Sequence, residues 1–107
     1  MIRIDFLALP GGELLGFSVN GHSGYAEEGE DIVCAAVSSA VYLTVNTITD
    51  VLHVAPLSLR ADDGEMFFRI EPKDEEVCRA LLAGLKLHLI QLEEQYPDCI
   101  SVNYLEL

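Results

Sequence analysis

The residues of this sequence best suited to chemistry are a histidine and a cysteine, His22 and Cys34. A thiol becomes a strong nucleophile when an imidazole takes its proton, and the same imidazole can protonate the leaving group. Gly21 directly precedes the histidine, and a loop rich in glycine and glutamate separates it from the cysteine. This order predicts that a general base and a thiol lie at the ends of adjacent elements. The alternatives are a core cysteine, which is common, and a solvated loop histidine.

An apolar run from Ile32 to about Leu52 follows, without glycine or proline. Its spacing predicts a helix buried over most of its surface. Asp31 is a suitable N-cap, because a carboxylate accepts hydrogen bonds from the unpaired amides of the first turn. Cys34 would then lie at the third helical position, where the positive end of the helix dipole favours the thiolate. The same amides could hold the oxyanion of a tetrahedral intermediate.

Asp31 has two competing roles at this position. As a cap it would occupy amides that an oxyanion needs, and its charge would oppose the thiolate. It could instead orient the ring of His22 as the third member of a triad. Ser38 lies one helical turn beyond Cys34, so its hydroxyl could touch the thiolate or the substrate, or bond to the carbonyl of the preceding turn. The sequence leaves both pairs of alternatives open, and a carboxylate has enough lone pairs for Asp31 to cap the helix and orient His22 at once.

The same stretch resembles the ribosomal-processing cysteine protease (Prp) family. The resemblance is carried by Gly21-His22, Tyr25-Ala26, Gly29 and the run from Asp31 to Ser38, and it extends over the whole chain in length and element order. It implies that His22 and Cys34 form a catalytic dyad, supported more loosely by Asp31, Gly21 and Ser38. It also implies the substrate, the precursor of large-subunit ribosomal protein twenty-seven, from which a short N-terminal extension is removed.

The segment between the two candidate catalytic residues has its own alternatives. Loops of this composition are usually plain connectors. With the resemblance we interpret the segment as a lid, made of Ser23, Gly24, Tyr25, Gly29 and their neighbours, that orders when substrate binds. Ser23 stands where family members often have alanine. Tyr25 would lie over the site or anchor the loop.

Length and cysteine content limit the other classes of site. A chain of 107 residues predicts one domain, residues 1–107, with one modest core. Three cysteines without a C-x-x-C pair do not suit a disulfide framework or a four-cysteine zinc site. We therefore expect reduced thiols, no metal and no cofactor. The first residues have neither a signal-peptide pattern nor a membrane span, so we expect a soluble, cytoplasmic protein.

The charge is strongly acidic, with 18 Asp and Glu against 6 Lys and Arg and a formal net charge of −12. Direct nucleic-acid binding needs a cationic surface, so this balance argues against it. It suits a basic protein partner such as a ribosomal protein. The alternative is that the charge only keeps the protein soluble.

The remaining patterns predict an α+β fold in the order β-β-α-β-β-α-β, with a mixed, mostly antiparallel sheet packed against two long helices. The predicted strands cover 1–8, 13–20, 57–61, 65–71 and 99–105. The second helix begins after the N-cap Asp74 and runs to about Tyr96. Its apolar stripe contains Val77, Leu81, Leu85, His88 and Leu92, and further leucines widen it. Such a helix usually buries a second side, so we predict a homodimer through this helix or a sheet edge.

Two other functions remain compatible with the residues. One is a non-catalytic ribosome-assembly binding module in which Cys34 is structural. The other is a thiol redox sensor, which would need Cys78 or Cys99 close to Cys34, since the sequence shows no evident resolving cysteine.

Overall fold

The computed structural model describes residues 1–21 and 31–107. In chain order the elements are β1 (Ile2–Ala8), β2 (Leu14–Asn20), α1 (Ile32–Asn46), β3 (Ser58–Asp62), β4 (Glu65–Arg69), α2 (Glu75–Gln95) and β5 (Ile100–Glu106). The predicted α+β order is confirmed, and each strand boundary lies within one or two residues of its prediction.

The five strands form one sheet in the order β3-β4-β2-β1-β5. Three of the neighbouring pairs are antiparallel, and β5 runs parallel to β1. The sheet is therefore mixed and mostly antiparallel, as predicted. The hairpin partners β1 and β2 lie in its centre, so the start of β1 and the end of β2 meet at one end of the sheet.

One hydrophobic core joins the sheet to both helices. The pairing register places Phe6 opposite Phe17, and Phe17 opposite Phe68, so large side chains from three neighbouring strands form one row. The rings of Phe6 and Phe17 meet edge to face with centroids 6.2 Å apart, a favourable arrangement for aromatic pairs. The helices complete this core with apolar rows, which are Val33, Val37, Val41 and Val45 on α1 and Cys78, Leu82, Leu85, Leu89 and Leu92 on α2.

Helix α1 continues without a break into a π-helical turn, Thr47–Val51. The combined helix Ile32–Val51 has 20 residues, and an 18-residue stretch of it has a mean hydropathy of 1.6, so length and composition alone would let it cross a membrane. Its valine row belongs to the core that it shares with the sheet. Helices at the centre of a folded core meet the same length and composition criteria.

Two expectations about helix burial are wrong. The helix Ile32–Val51 is not buried over most of its surface, because Leu43 and Val51 are 66% and 68% exposed. On α2 the buried stripe begins at Cys78, and Val77 and His88 face outward. The buried stripe is thus shifted by one residue from the predicted stripe. The sequence pattern did not distinguish the two stripes, because leucines occur in both. Asp74 precedes α2 as predicted, but its side chain makes no capping hydrogen bond, since a 3-10 turn, Pro72–Asp74, leads into the helix.

Candidate active site

The start of α1 is fixed by Asp31. Its Oδ1 atom accepts hydrogen bonds from the backbone N–H groups of Val33 and Cys34, each at 3.0 Å. The backbone of Asp31 is extended, as expected of a residue just outside a helix. The structure therefore shows the cap, whereas the orienting role depends on His22, which lies outside the described residues. Because the carboxylate engages the amide of Cys34, an oxyanion could use that amide only if Asp31 released it.

Cys34 lies in the first turn of α1, is half-buried and lines a cleft of about 400 Å³. One wall of the cleft is a face of α1, formed by residues that lie three or four positions apart. The opposite wall comes from the start of β1, the end of β2 and the β3–β4 hairpin. The described residues that line the cleft are Ile2, Val19, Gly21, Cys34, Val37, Ser38, Val41, Tyr42, Ala61, Asp62, Asp63, Gly64, Glu65 and Met66. The structure thus gives the thiol access to a surface depression while the rest of its helix anchors in the core.

Ser38 lies in this cleft on the same helix face as Cys34. In α1 and the turn after it, the hydroxyls of Thr44, Thr47 and Thr49 each donate to the carbonyl four residues earlier. The Ser38 hydroxyl makes no such bond within the part of the chain that the structure describes.

Gly21 marks the end of β2 and also lines the cleft. Its N–H group donates to the carbonyl of Gly64 in the β3–β4 turn, at 2.9 Å. Its φ angle is +89°, in the left-handed region that favours glycine. The chain therefore turns sharply at the last described residue before His22.

The cleft combines an apolar floor with an acidic rim. Val37, Val41 and Met66 are buried on the floor, and the exposed residues Asp62 and Glu65 carry carboxylates at the end of β3 and the start of β4. Apolar side chains enter such a floor by losing contact with water. Basic side chains are attracted to the rim, most strongly at low ionic strength. The cleft is thus suited to an extended peptide with both kinds of side chain.

The three cysteines are free and differ in environment. Cys78 is fully buried in the core. Burial raises the pKa of its thiol, and the nearby carboxylates of Asp74 and Glu75 raise it further. Cys99 is half-buried and packs against the same core. Cys78 thus has the environment of a structural residue, whereas Cys34 lines the cleft.

The predicted site is only partly within the described residues. Gly21, Asp31, Cys34 and Ser38 are brought to the cleft or its edge. His22 and the proposed lid residues Ser23, Gly24, Tyr25 and Gly29 lie outside residues 1–21 and 31–107.

The comparisons with known proteins connect this geometry to an activity. The family model for the cysteine protease Prp matches residues 1–101. The chain belongs to the Prp family of cysteine proteases. It is therefore a cysteine protease, and the resemblance seen in the sequence is confirmed.

Individual Prp proteins are similar along most of the chain. The ribosomal processing cysteine protease Prp of Bacillus subtilis is 30% identical over 95 residues, which cover 84% of this chain and 85% of the relative. A crystal structure of the essential ribosomal processing protease Prp of Staphylococcus aureus with a covalently linked product peptide has a TM-score of 0.90. It is 28% identical and covers 98% of this chain and 100% of that one.

A second structure of Staphylococcus aureus Prp holds a substrate peptide. Its TM-score is 0.84 at 27% identity, with 98% of this chain and 100% of that chain covered. The Staphylococcus aureus relative therefore binds peptides with this fold. The present chain has the same fold and a cleft lined by Cys34 at the start of α1.

Sequence reasoning missed most of the residues that line the cleft of this Prp family member. Val37, Val41 and Tyr42 follow Cys34 at helical spacing, so the periodicity of α1 could have identified them. Ile2 and the β3–β4 turn had no comparable signal. Their proximity to Cys34 depends on the strand order, which the sequence patterns did not provide.

Proposed function

We propose that this protein is a ribosomal-processing endopeptidase in which Cys34 is the nucleophile and His22 is the general base and acid. The observation that carries the proposal is the position of Cys34, which is half-buried in the first turn of α1 and lines a cleft of about 400 Å³. Membership of the Prp family and the peptide-bound Staphylococcus aureus structures support it. The proposal takes the whole chain, residues 1–107, as the protease domain.

In the proposed reaction His22 removes the proton from the Cys34 thiol. The sulfur attacks the carbonyl carbon of the scissile peptide bond, and the carbonyl oxygen becomes an oxyanion. When the tetrahedral intermediate collapses, the C–N bond breaks and the imidazolium of His22 protonates the leaving amine. Water, deprotonated by His22, then attacks the thioester, and the released thiolate regains its proton.

Asp31 supports this chemistry in the proposal by fixing the first turn of α1, and with it the backbone of Cys34. Ser38 contacts the bound peptide through a hydroxyl that makes no helix bond among the described residues. The proposed lid, which includes Ser23, Gly24, Tyr25 and Gly29, closes over the peptide. No metal or organic cofactor is needed for any of these steps.

We propose as substrate the precursor of large-subunit ribosomal protein twenty-seven, from which the protease removes the N-terminal extension. Support comes from the names of the relatives, which are ribosomal processing proteases. The buried floor around Val37 and Val41 suits apolar residues before the scissile bond. The net charge of −12 and the carboxylates of Asp62 and Glu65 suit a basic ribosomal protein. The charge disfavours direct nucleic-acid binding. We place the reaction in the cytoplasm, away from any membrane, where thiols stay reduced.

We further propose that the protein acts as a homodimer. A mostly apolar groove of about 570 Å³ lies between α1 and α2, and its rim includes Leu43, which is 66% exposed. The described residues that line this groove carry no carboxylate, so two acidic copies would repel each other less here than elsewhere. Sedimentation should show a dimer mass at micromolar concentration, and Leu43→Glu should shift it to a monomer. A monomer of the unaltered protein would contradict this proposal.

The function is tested by incubating the purified protein with the extended ribosomal protein precursor and weighing the products by mass spectrometry. We expect one cut within the extension, abolished in Cys34→Ser and His22→Ala and retained in Cys78→Ser, the matched control at a buried thiol. Intact precursor bound by all four proteins would indicate a binding module. Reversible oxidation of Cys34 without cleavage would indicate a redox sensor.

A further inference from the structure

Strand β3 forms one edge of the sheet, and β4 is its only neighbour among the described strands. Backbone groups alternate in direction along a strand, so one side of β4 bonds to β2 and the other bonds to β3. On the β2 side, the N–H group of Ile70 donates to the carbonyl of Leu15 at 2.7 Å. On the β3 side, the carbonyl of Arg69 accepts from the N–H group of Leu57 at 2.8 Å. These two bonds determine which groups of β3 point outward.

The outward groups of β3 belong to Leu59 and Ala61. Phe67 lies two residues before Arg69, so its backbone groups also point to β3, where Arg60 is its partner. Leu59 and Ala61 flank Arg60, so their N–H and C=O groups point away from β4. None of these groups has a backbone partner within the described part of the chain. The outer edge of β3 therefore offers two donors and two acceptors to a further strand.

The opposite edge of the sheet, β5, is partly covered. Its N–H groups that point away from β1 include those of Ile100 and Val102. The first donates to the carbonyl of Tyr96 at 3.2 Å, and the second donates to Oε2 of Glu93 at 2.7 Å. Uncovered edge strands attract other strands, so proteins usually cover or charge them. The described residues give β3 no such cover, which suits an edge that receives a binding partner.

The open edge of β3 adjoins the cleft. Ala61 lines the cleft together with Cys34, and Leu59, on the same face of β3 as Ala61, is 42% exposed. On the helical wall, Cys34 and Tyr42 both line the cleft and are eight residues apart, which corresponds to about 12 Å along α1. An extended peptide rises about 3.3 Å per residue, so about four of its residues span this distance.

We infer that the substrate peptide binds as an added strand on β3, hydrogen-bonded to the backbone of Leu59 and Ala61, with alternate side chains directed into the cleft. This inference rests on the proposed function, since it states how the proposed substrate is held beside Cys34. The net charge of −12 and the exposed Asp62 at the end of β3 favour a basic peptide over a second copy of this chain as the added strand.

The direct test is amide hydrogen exchange by NMR in Cys34→Ser, with and without a saturating peptide that spans the cleavage site of the extended precursor. Fluorescence anisotropy of a labelled peptide verifies saturation. The amides of Leu59 and Ala61 should exchange about tenfold more slowly in the complex, the scale of one hydrogen bond. The amide of Tyr104, which faces outward on β5, is the control and should not change. Bound peptide without slower exchange at Leu59 and Ala61 would overturn the inference.

A proline substitution tests the edge through activity. Proline lacks the N–H donor but is tolerated on an edge strand where that group faces outward. Ala61→Pro should therefore keep the folded circular dichroism spectrum and raise KM about fivefold. Glu106→Pro, at the outer edge of β5, should leave KM unchanged. Unchanged KM in a folded Ala61→Pro protein would overturn the inference. Conversion of a dimer to a monomer by Ala61→Pro in sedimentation would assign the edge to a second copy and also overturn it.

A modified set of substrates tests the same bonds from the side of the peptide. In each substrate one amide other than the scissile one is replaced by an ester, which removes an N–H donor without adding bulk. An added strand uses the N–H groups of alternate residues, so kcat/KM should fall about fivefold at every second position that contacts β3. Equal sensitivity at successive positions, or none, would overturn the inference. Absence of cleavage of the unmodified peptide would instead overturn the proposed function, so the two failures are distinguishable.

Discussion

The backbone N–H group of Cys34 donates to the Oδ1 atom of Asp31 at 3.0 Å, so the residue that begins the helix also holds the amide of the proposed nucleophile. Replacement of Asp31 by asparagine distinguishes a helix cap from a catalytic carboxylate. An asparagine side chain caps nearly as well as aspartate but carries no charge. This pair of residues therefore gives the first test.

Asp31→Ala should lower the free energy of unfolding by about 1 kcal/mol, the usual effect of removing an N-cap. Urea denaturation measures this loss. Asp31→Asn should be close to wild type in stability. If Asp31 acts only as a cap, Asp31→Asn also retains cleavage. A stable Asp31→Asn protein with strongly reduced kcat would show that the carboxylate additionally orients His22.

Cys34 should react with iodoacetamide at neutral pH while Cys78 stays unmodified. Cys78 is fully buried, and its thiol has a raised pKa from burial and from Asp74 and Glu75, so little thiolate forms there at pH 7. Peptide mapping by mass spectrometry measures both sites. Cys34→Ser should leave Cys78 unreactive until urea unfolds the protein. Modification of Cys78 at the rate of Cys34 under native conditions would contradict the described core.

Ser38→Phe should obstruct the cleft without unfolding the helix, because Ser38 is exposed and lines the cleft one turn after Cys34. We expect KM for the precursor to rise roughly tenfold, which corresponds to about 1.4 kcal/mol of lost binding. Steady-state cleavage measures the change. Asn46→Phe, at an exposed site at the far end of α1, is the control and should leave KM unchanged. Equal effects of the two substitutions would argue against the cleft as the peptide site.

Glu75 should make stability depend on pH in the acid range. Arg79 donates to both oxygens of this largely buried carboxylate, including Nε to Oε2 at 2.8 Å, and these bonds hold its pKa below the ordinary value. A carboxylate with a lowered folded pKa stabilises the protein above its unfolded pKa, and this contribution disappears as pH falls through the folded value.

The measurement for Glu75 is thermal unfolding between neutral pH and pH 3. Glu75→Gln should lower Tm at neutral pH and show a smaller further decrease on acidification than wild type. Glu76→Gln removes the same formal charge at the exposed neighbour and should retain the wild-type dependence. Parallel curves for Glu75→Gln and wild type would exclude this contribution.

The sequence was sufficient for the elements because local patterns determine them. Three local patterns each predicted one element without ambiguity. They are the alternation in 1–8 and 13–20, the glycine-free apolar run after Asp31, and the turn at Asp62-Asp63-Gly64. The rotation of α2 was missed because Leu81, Leu82, Leu85 and Leu89 offer two overlapping stripes. Only packing against the sheet selects the stripe with Cys78.

The candidate site likewise contains residues whose positions the sequence predicted and residues whose positions it did not. Asp31, Cys34 and Ser38 follow from one helix and its cap, so the sequence could place them relative to each other. Ile2 and Gly64 reach the cleft through the strand order β3-β4-β2-β1-β5. This order depends on contacts between residues far apart in the chain, which periodicity does not encode.

The pairing of β1 with β5 joins Ile2 to Ile100, so the two most distant strands of the chain are neighbours in the sheet. Contacts of such long sequence separation are slow to form, because a large loop must close before they contribute stability. Ile2 is also a wall of the cleft that contains Cys34. A chain still being synthesised therefore contains Cys34 well before it contains β5, the strand that pairs with the Ile2 wall of the cleft.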